Sequence, residues 1–279
     1  MRSSNEDPKR LIRSISILAK PVRHILGLSG GKDSTALAIY MRDRVPEMEY
    51  FFCDTGSELP ETYEYLAKLE VYLGKKIARL SSSRTFDHWL KIYRGTLPSP
   101  NMRWCTKVLK IEPLEKWIGA DSAVSYVGIR ADEATRKGYM STRKNMISVF
   151  PFIDDGLELR DIEDILAESG LGKPSYYQWR TRSGCYFCFY QRKGEWVGLA
   201  DNHPDLFSAA IDYESKVGHK KTASKDSYTW SQGESLVDLL KRRDDIKSKS
   251  PGVARSELLL DILDETHEDD EGFCSACHL

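Results

Sequence analysis

The stretch from Ile25 to Thr35 constrains the fold of this chain more than any other. It reads ILGLSGGKDST, so that an apolar run gives way to two adjacent glycines. The apolar run predicts a buried strand, and the residues after the glycines predict a helix over 34–44. A helix N-terminus offers backbone amides to an anion, and glycines allow close approach of the backbone. The stretch therefore predicts a phosphate-binding turn, with the amides of residues 29–31 holding a pyrophosphate.

The polar residues of this turn are candidate ligands for phosphates and magnesium. Lys32 offers a cation, and Ser29 and Ser34 offer hydroxyls. A carboxylate beside phosphates is repelled unless a metal ion intervenes, so Asp33 is assigned to Mg²⁺ or to capping the helix. The Walker loop does not fit, because Leu26 and Asp33 stand where it requires Gly and Ser or Thr. A glycine turn without a ligand is the alternative.

Strand and helix patterns alternate along the first two thirds of the chain. Strands are predicted over 49–53, 76–80 and 123–128, helices over 8–20, 60–73 and 160–168, and a polar loop over 81–101. This alternation predicts an α/β fold with a parallel sheet flanked by helices. Ligands of such sheets lie beyond the carboxyl ends of the strands. Asp54 and Thr55 follow the second strand, and Gly128 and Arg130 end the fourth, so we expect them to share one crevice with Ser29–Ser34.

Composition limits the classes of partner and the organisation. The chain has 279 residues, 41% of them hydrophobic, which allows one α/β domain over 1–195 and a helical C-terminal extension over 196–279. Lys and Arg number 41 against 42 Asp and Glu, so no global positive field indicates nucleic acid. No apolar run has the length of a membrane span, and the N-terminus lacks a signal-peptide core, so we expect a cytoplasmic protein without a membrane partner. Assembly into a homo-oligomer stays open.

The cysteines form a more specific pattern than the charges. Cys53 lies in a predicted strand and is interpreted as a small buried hydrophobe. The other five are candidate metal ligands: Cys105, the CxxC pair Cys185 and Cys188, and the CxxC pair Cys274 and Cys277. Two CxxC pairs are typical of a tetrahedral zinc site, and a 4Fe-4S cluster needs three or four such thiolates. Both metals fit the spacing.

Three of these motifs together resemble the PP-loop ATP pyrophosphatases. The signature of that family is Ser-Gly-Gly-x-Asp-Ser, which matches residues 29–34. Residues 54–62 look like the second motif of its phosphoadenylylsulfate reductase branch, and residues 128–133 look like the segment that closes the nucleotide site there. The resemblance implies an adenine nucleotide alpha hydrolase-like fold, ATP with Mg²⁺ as cofactors, and cleavage of ATP between its α and β phosphates. It also implies that Lys32, Asp33 and Arg130 are catalytic.

The same resemblance bears on the metal. Residues 104–114 and 183–188 look like the two cysteine elements of cluster-bearing adenylylsulfate reductases, which supply Cys105, Cys185 and Cys188. The fourth ligand would come from Cys274 or Cys277, and the resemblance favours 4Fe-4S over zinc. The C-terminal Glu-Cys-Gly-Leu-His motif of those reductases is missing from this chain. We therefore do not expect a thiol-based reduction of adenylylated sulfate.

Within the family the chain is most similar to DNA phosphorothioation proteins of the DndC and SspD type. That similarity implies activation of a nucleic-acid backbone phosphate for sulfur insertion, with DNA as substrate, a cysteine desulfurase as sulfur donor and other modification-system subunits as partners. Aromatics and arginines alternate over 176–193, which indicates either a nucleic-acid surface or a buried core. Three alternatives stay open: a phosphoadenylylsulfate or adenylylsulfate reductase, a tRNA thiolation enzyme, and a non-catalytic nucleotide- or nucleic-acid-binding subunit.

Overall fold

Five short strands build the centre of the molecule. The computed structural model describes residues 21–133, 144–218, 229–231 and 233–249. Within these ranges the strands are β1 (Arg23–Gly27), β2 (Glu49–Asp54), β3 (Ile77–Ser81), β4 (Ala123–Tyr126) and β5 (Met146–Val149). They form one parallel sheet in the order β3-β2-β1-β4-β5, with β1 at its centre. The predicted α/β fold with a parallel sheet is confirmed.

Helices connect the strands and continue beyond the sheet. They are α1 (Lys32–Met41), α2 (Pro60–Leu73), α3 (Phe86–Ile92), α4 (Trp104–Thr106, a π-helical turn Lys107–Ile111, and Glu112–Ile118), α5 (Pro151–Asp154), α6 (Leu159–Glu168), α7 (Lys193–Asn202), α8 (Pro204–Gly218), α9 (Leu236–Lys241) and α10 (Arg243–Lys249). The described chain after residue 193 is thus mostly helical, apart from the segment around Trp230. None of the described helices is long and apolar enough to cross a membrane.

Several predicted boundaries need correction. The helix predicted over 34–44 begins at Lys32, directly after Gly31, and ends at Met41. The polar loop predicted over 81–101 contains α3, which Thr85 caps by accepting a hydrogen bond from the His88 amide at 3.3 Å. Strand β5 was not predicted, and the strand predicted over 123–128 ends at Tyr126; both strands have four residues, a length at which the apolar pattern does not fix the bounds. The helix predicted over 8–20 lies outside the described residues.

The described apolar residues pack into three clusters, which are a sheet core, an aromatic core and a smaller cluster that joins the strands to α4 through Phe51 and Leu114. The sheet core joins β1, β2 and β4 to α1, α2 and α6 through residues such as Leu26, Leu37 and Ile162. The aromatic core packs α7, α8 and α9 against α3 and the segment around Phe187. In it the ring of Phe187 lies 4.4 Å from Phe86 and 5.3 Å from Trp230, centroid to centroid. The division into 1–195 and 196–279 stays a prediction.

Candidate nucleotide site at the strand ends

The glycine loop between β1 and α1 lies at the centre of the sheet's carboxyl edge. Gly30 has a φ of +76°, which L residues with side chains rarely adopt, and a Cβ there would lie 2.7 Å from Cγ2 of Thr62. The hydroxyls of Ser29 and Ser34 lie 3.1 Å apart across the loop. Local sequence thus shapes the turn: one glycine supplies the left-handed backbone, and two serines close it.

Two of the three loop amides already donate hydrogen bonds to hydroxyls. The Ser29 amide donates to Ser34 Oγ at 3.2 Å, and the Gly31 amide donates to Ser29 Oγ at 3.4 Å. An anion held by these amides has to replace the hydroxyl oxygens. The use of the amides of residues 29–31 as a pyrophosphate cradle therefore stays a prediction.

Charged side chains from α1 and from the end of β4 meet beside the loop. Arg130 Nη1 lies 3.0 Å from Asp33 Oδ1, and Lys32 Nζ lies 3.3 Å from Asp33 Oδ2. The other side of the guanidinium forks onto both oxygens of Asp132, at 2.9 and 3.2 Å, and Nη2 lies 3.3 Å from Glu133 Oε1. Two cations thus face three carboxylates, and all five groups are mostly buried.

Burial and these partners act in opposite directions on Arg130. Removal from water lowers the pKa of the Arg130 guanidinium, while Asp33, Asp132 and Glu133 raise it, and the net result is a pKa above its ordinary value. Arg130 therefore stays charged. A permanently charged fork beside a phosphate-type loop is suited to stabilise charge that develops on phosphate oxygens.

Gly128 brings β4 close to the start of α1. A Cβ on Gly128 would lie 3.1 Å from the Asp33 carbonyl oxygen and 3.5 Å from the Ser34 amide nitrogen. The glycine is thus explained by backbone packing that sets Asp33 beside Arg130. Its predicted contact with a nucleotide stays a prediction.

Asp54 and Thr55 shape the turn after β2. Oδ1 of Asp54 accepts hydrogen bonds from the Gly56 amide at 2.9 Å and from the Tyr63 hydroxyl at 2.8 Å. The Thr55 hydroxyl donates to Glu58 Oε1 at 2.8 Å and lies 3.1 Å from the sulfur of Cys185. The second motif therefore contacts the first CxxC pair directly, which spacing in the sequence does not reveal.

The cysteines do not form the predicted three-thiolate set within the part of the chain that the structure describes. No group of three or more His, Cys, Asp or Glu residues there is arranged to hold a metal ion. Cys105, Cys185 and Cys188 form no disulfide among the described residues, and burial raises the pKa of Cys185 well above its ordinary value. Cys274 and Cys277 lie outside the described residues. The described residues alone therefore provide no metal site, and the ligand set that includes Cys274 and Cys277 stays a prediction.

Cys53 and the aromatic stretch were interpreted more accurately. Cys53 is buried inside β2, and burial raises its pKa to about 12, as expected of a small hydrophobe. Tyr176, Tyr177 and Phe187 belong to the aromatic core, so the core interpretation holds for them. Tyr190 is partly buried against the cluster that contains Phe51 and Leu114, and the guanidinium carbons of Arg103 and Arg182 lie 5.8 and 5.4 Å from its ring centroid.

Three residues that sequence reasoning missed contact the glycine loop. The Tyr176 hydroxyl donates to the Gly30 carbonyl at 2.7 Å, the Lys32 amide donates to the Tyr177 hydroxyl at 3.0 Å, and the Ser183 hydroxyl donates to Ser29 Oγ at 2.9 Å. Their only signal in the sequence was membership of the aromatic stretch 176–193. No local pattern links them to a loop about 150 positions earlier.

A parallel sheet whose central strand ends in a glycine loop, with a lysine, an aspartate and a buried arginine beside it, places this chain in the α/β class, whose members commonly bind ligands at the strand ends. Comparison with protein families gives the particular group. The profile of the phosphoadenosine phosphosulfate reductase domain matches residues 23–189, and the chain belongs to that family.

Three individual proteins are similar to this chain at 30% sequence identity or less. An uncharacterised protein of Methanocaldococcus jannaschii is 30% identical over 203 residues, which cover 68% of this chain and 40% of that protein. The phosphoadenosine 5'-phosphosulfate reductase of Buchnera aphidicola is 24% identical over 56% of this chain and 66% of its own length. The structure of the U34-tRNA thiolase NcsA from Methanococcus maripaludis, with its [4Fe-4S] cluster, aligns with a TM-score of 0.40 and 15% identity over 84% of this chain and 86% of that one.

Proposed function

We propose that this protein is an ATP pyrophosphatase that activates a backbone phosphate of DNA for replacement of an oxygen by sulfur. The observation that carries the proposal is the cluster of cations and carboxylates beside the glycine loop. Among the described residues, Lys32 and Arg130 contact Asp33, Asp132 and Glu133 at 2.9–3.3 Å. Carboxylates beside a phosphate-type loop suit a polyphosphate that carries Mg²⁺, because carboxylates are preferred magnesium ligands.

The residues present divide into those that hold the nucleotide and those that act on its charge. Ser29, Gly30, Gly31 and Ser34 form the loop that would receive the β and γ phosphates, and Asp54 and Thr55 line the neighbouring strand end. Mg²⁺, when bound to Asp33, would neutralise the phosphates. Arg130 and Lys32 would stabilise the negative charge that moves onto the departing pyrophosphate.

The proposed chemistry has two balanced substitutions at phosphorus. In the first, a non-bridging oxygen of the DNA phosphate attacks the α-phosphorus of ATP, and the bond to the β-phosphate breaks to release pyrophosphate. In the second, hydrosulfide attacks the DNA phosphorus, and AMP leaves with the former phosphate oxygen. A cysteine desulfurase would supply that sulfur as a persulfide, with a thiol reductant providing two electrons.

The acceptor strand has a candidate binding surface next to the loop. Arg182 directly precedes Ser183, whose hydroxyl donates to Ser29 Oγ. The guanidinium carbons of Arg182 and Arg103 lie 5.4 and 5.8 Å from the centroid of the Tyr190 ring. Guanidinium groups beside a partly exposed aromatic ring suit a nucleic-acid strand, which needs phosphate contacts and stacking. This surface favours a polymer over a free sulfonucleotide as the acceptor.

A second candidate is favoured by the family itself. A phosphoadenylylsulfate reductase would bind its substrate at the same strand ends but needs a cysteine thiolate to attack the sulfur. Two of the described thiols, those of Cys53 and Cys185, are unsuited to this because burial raises their pKa. The two candidates differ in their products, since the first makes pyrophosphate and AMP from ATP and the second makes sulfite.

Mass spectrometry of nuclease-digested DNA and tRNA from the source organism tests the proposal. Cells with the natural gene are compared with cells carrying Asp33→Ala, and Asp43→Ala serves as control because that aspartate is 82% exposed. We expect phosphorothioate dinucleotides in DNA that disappear with Asp33→Ala and persist with Asp43→Ala. Loss of a thionucleoside from tRNA instead would replace DNA by tRNA as the acceptor. An unchanged nucleic-acid profile would reject the nucleic-acid proposal.

A further inference from the structure

Tyr177 and Ser183 contact the glycine loop, although neither belongs to the loop motif at residues 29–34. The Lys32 amide donates to the Tyr177 hydroxyl at 3.0 Å, and the Ser183 hydroxyl donates to Ser29 Oγ at 2.9 Å. Both side chains are buried, with 7% and 8% of their surface exposed. They belong to one short segment, which therefore covers the loop and the first turn of α1.

This contact explains why residue 31 is a glycine. Gly31 has φ −93° and ψ 168°, an extended conformation that any residue adopts, so its backbone does not require glycine. A Cβ at this position would lie 2.9 Å from Ser183 Oγ and 3.2 Å from the Tyr177 hydroxyl oxygen. The neighbouring Gly30 differs, because its φ of +76° favours glycine whatever surrounds it.

The hydroxyls also suit a site that already contains three carboxylates. The hydroxyls of Ser29 and Ser34 lie 3.1 Å apart, and the Ser183 hydroxyl donates to that of Ser29. Hydroxyls accept from loop amides and also carry a proton of their own, so they can donate to phosphate oxygens without adding charge. Together with the amides they provide a neutral set of donors around the loop.

We infer that Tyr177 and Ser183 are positioning residues that fix the phosphate loop and thereby set its affinity for the pyrophosphate part of the nucleotide. The inference rests on the proposed function, since it concerns the same site. It adds two residues that neither the loop motif nor the strand ends include. It also predicts that Gly30 and Gly31 are needed for different reasons.

Binding measurements on single variants are the first test. Titration calorimetry measures the affinity of the purified protein for Mg²⁺-ATP and for inorganic pyrophosphate, and thermal unfolding monitors the fold. Removing one hydrogen bond by Tyr177→Phe or Ser183→Ala should weaken both ligands about three- to tenfold. The matched controls Tyr126→Phe and Ser169→Ala remove hydroxyls that bond His24 and the Leu166 carbonyl instead, and they should bind normally. Normal binding by the Tyr177 and Ser183 variants would overturn the inference while leaving the proposed function intact.

A double-mutant cycle tests the contact itself. Gly31→Ala should weaken pyrophosphate binding strongly in the natural protein and less in the Ser183→Gly background, because that change removes Ser183 Oγ and Cβ, at 2.9 and 3.3 Å from the new Cβ, and leaves the Tyr177 hydroxyl at 3.2 Å. Gly30→Ala should be equally harmful in both backgrounds. Equal effects of Gly31→Ala in the two backgrounds would overturn the inference.

The two proposals fail in distinguishable ways. If the natural protein binds neither Mg²⁺-ATP nor pyrophosphate, the proposed function is wrong. Hydrogen exchange of the Lys32 amide then tests the contact between Lys32 and Tyr177, because Tyr177→Phe removes the hydroxyl that accepts from this amide. Faster exchange in the variant would support the fixing of the loop by Tyr177, and unchanged exchange would reject it.

Discussion

Arg130 Nη1 lies 3.0 Å from Oδ1 of Asp33, although 97 positions separate the two residues in the chain. The pair joins the end of β4 to the first turn of α1, and the close approach of Gly128 to the Asp33 carbonyl makes this junction possible. Because Asp33 also contacts Lys32, its carboxylate couples both cations of the site. Any change in Asp33 therefore alters the position of the charges as well as their number.

Asp33→Asn should abolish most ATP cleavage. The amide keeps the shape of the side chain but removes the negative charge that holds Arg130 and would hold Mg²⁺. We expect a decrease in kcat of about 100-fold or more, the size seen when a preorganised electrostatic group is removed. Release of pyrophosphate in the presence of an oligonucleotide measures it, and Asp43→Asn, on the exposed surface, is the control. ATP cleavage by Asp33→Asn at the natural rate would show that Asp33 takes no part in catalysis.

Arg130→Lys tests the fork rather than the charge. The guanidinium binds both oxygens of Asp132 while a third nitrogen reaches Asp33, and a lysine ammonium cannot make these contacts together. We expect kcat to fall about tenfold, with little change in thermal stability. Arg23→Lys is the matched control, since Arg23 forks onto Glu49 at 2.8 and 2.7 Å near the opposite end of β1. A similar loss of activity in both variants would attribute the effect to general stability.

Gly128→Ala should both destabilise the protein and weaken nucleotide binding. The new Cβ would meet the backbone of Asp33 and Ser34, which cannot rotate away as a side chain can. We expect a decrease in the free energy of unfolding of about 1–3 kcal/mol, measured by denaturant titration. Affinity for Mg²⁺-ATP should fall in the same variant, since Asp33 is displaced from Arg130. A stable variant that binds nucleotide normally would show that β4 and α1 tolerate separation here.

Much of the sheet and the loop could be predicted because their signals are local. The apolar run before Ser29 and the glycines after it lie within a few residues of each other, and the strand at Glu49–Asp54 shows its own pattern. Right-handed crossovers then predict a parallel sheet but leave the order of its strands open. Strand β5 was missed because Met146–Val149 is short and only its end residues are buried.

The contacts between distant segments were not predictable from these patterns. Tyr177 reaches Lys32 across 145 positions, and Cys185 reaches Thr55 across 130. Packing of the aromatic core fixes these contacts, and that packing depends on residues scattered from α3 to α9. CxxC spacing likewise predicts that two thiols are near each other but not what lies around them. Among the described residues, Cys185 contacts the Thr55 hydroxyl and the Glu58 carboxylate.

Glu195 makes acid stability testable beside the same segment. Burial raises the pKa of Glu195, but Arg182, Arg180 and the hydrogen bonds from Thr181 lower it, and the net pKa lies below its ordinary value of 4.5. A carboxylate whose pKa is lowered on folding stabilises the fold at pH values above its unfolded-state pKa. This contribution is lost as the pH falls through its folded-state pKa. The natural protein should therefore lose stability progressively below about pH 4.5.

Glu195→Gln should remove this part of the acid sensitivity. At neutral pH the variant loses the charge that faces two arginines, and we expect its free energy of unfolding to be lower by about 1–3 kcal/mol. Below pH 4.5 the difference between the two proteins should shrink, because the natural carboxylate is then protonated as well. Denaturant titrations across this range measure the difference, with Glu64→Gln on the exposed face of α2 as the control. A constant difference at every pH would mean that Glu195 contributes through shape and hydrogen bonding alone, so that the arginines beside it add nothing to stability.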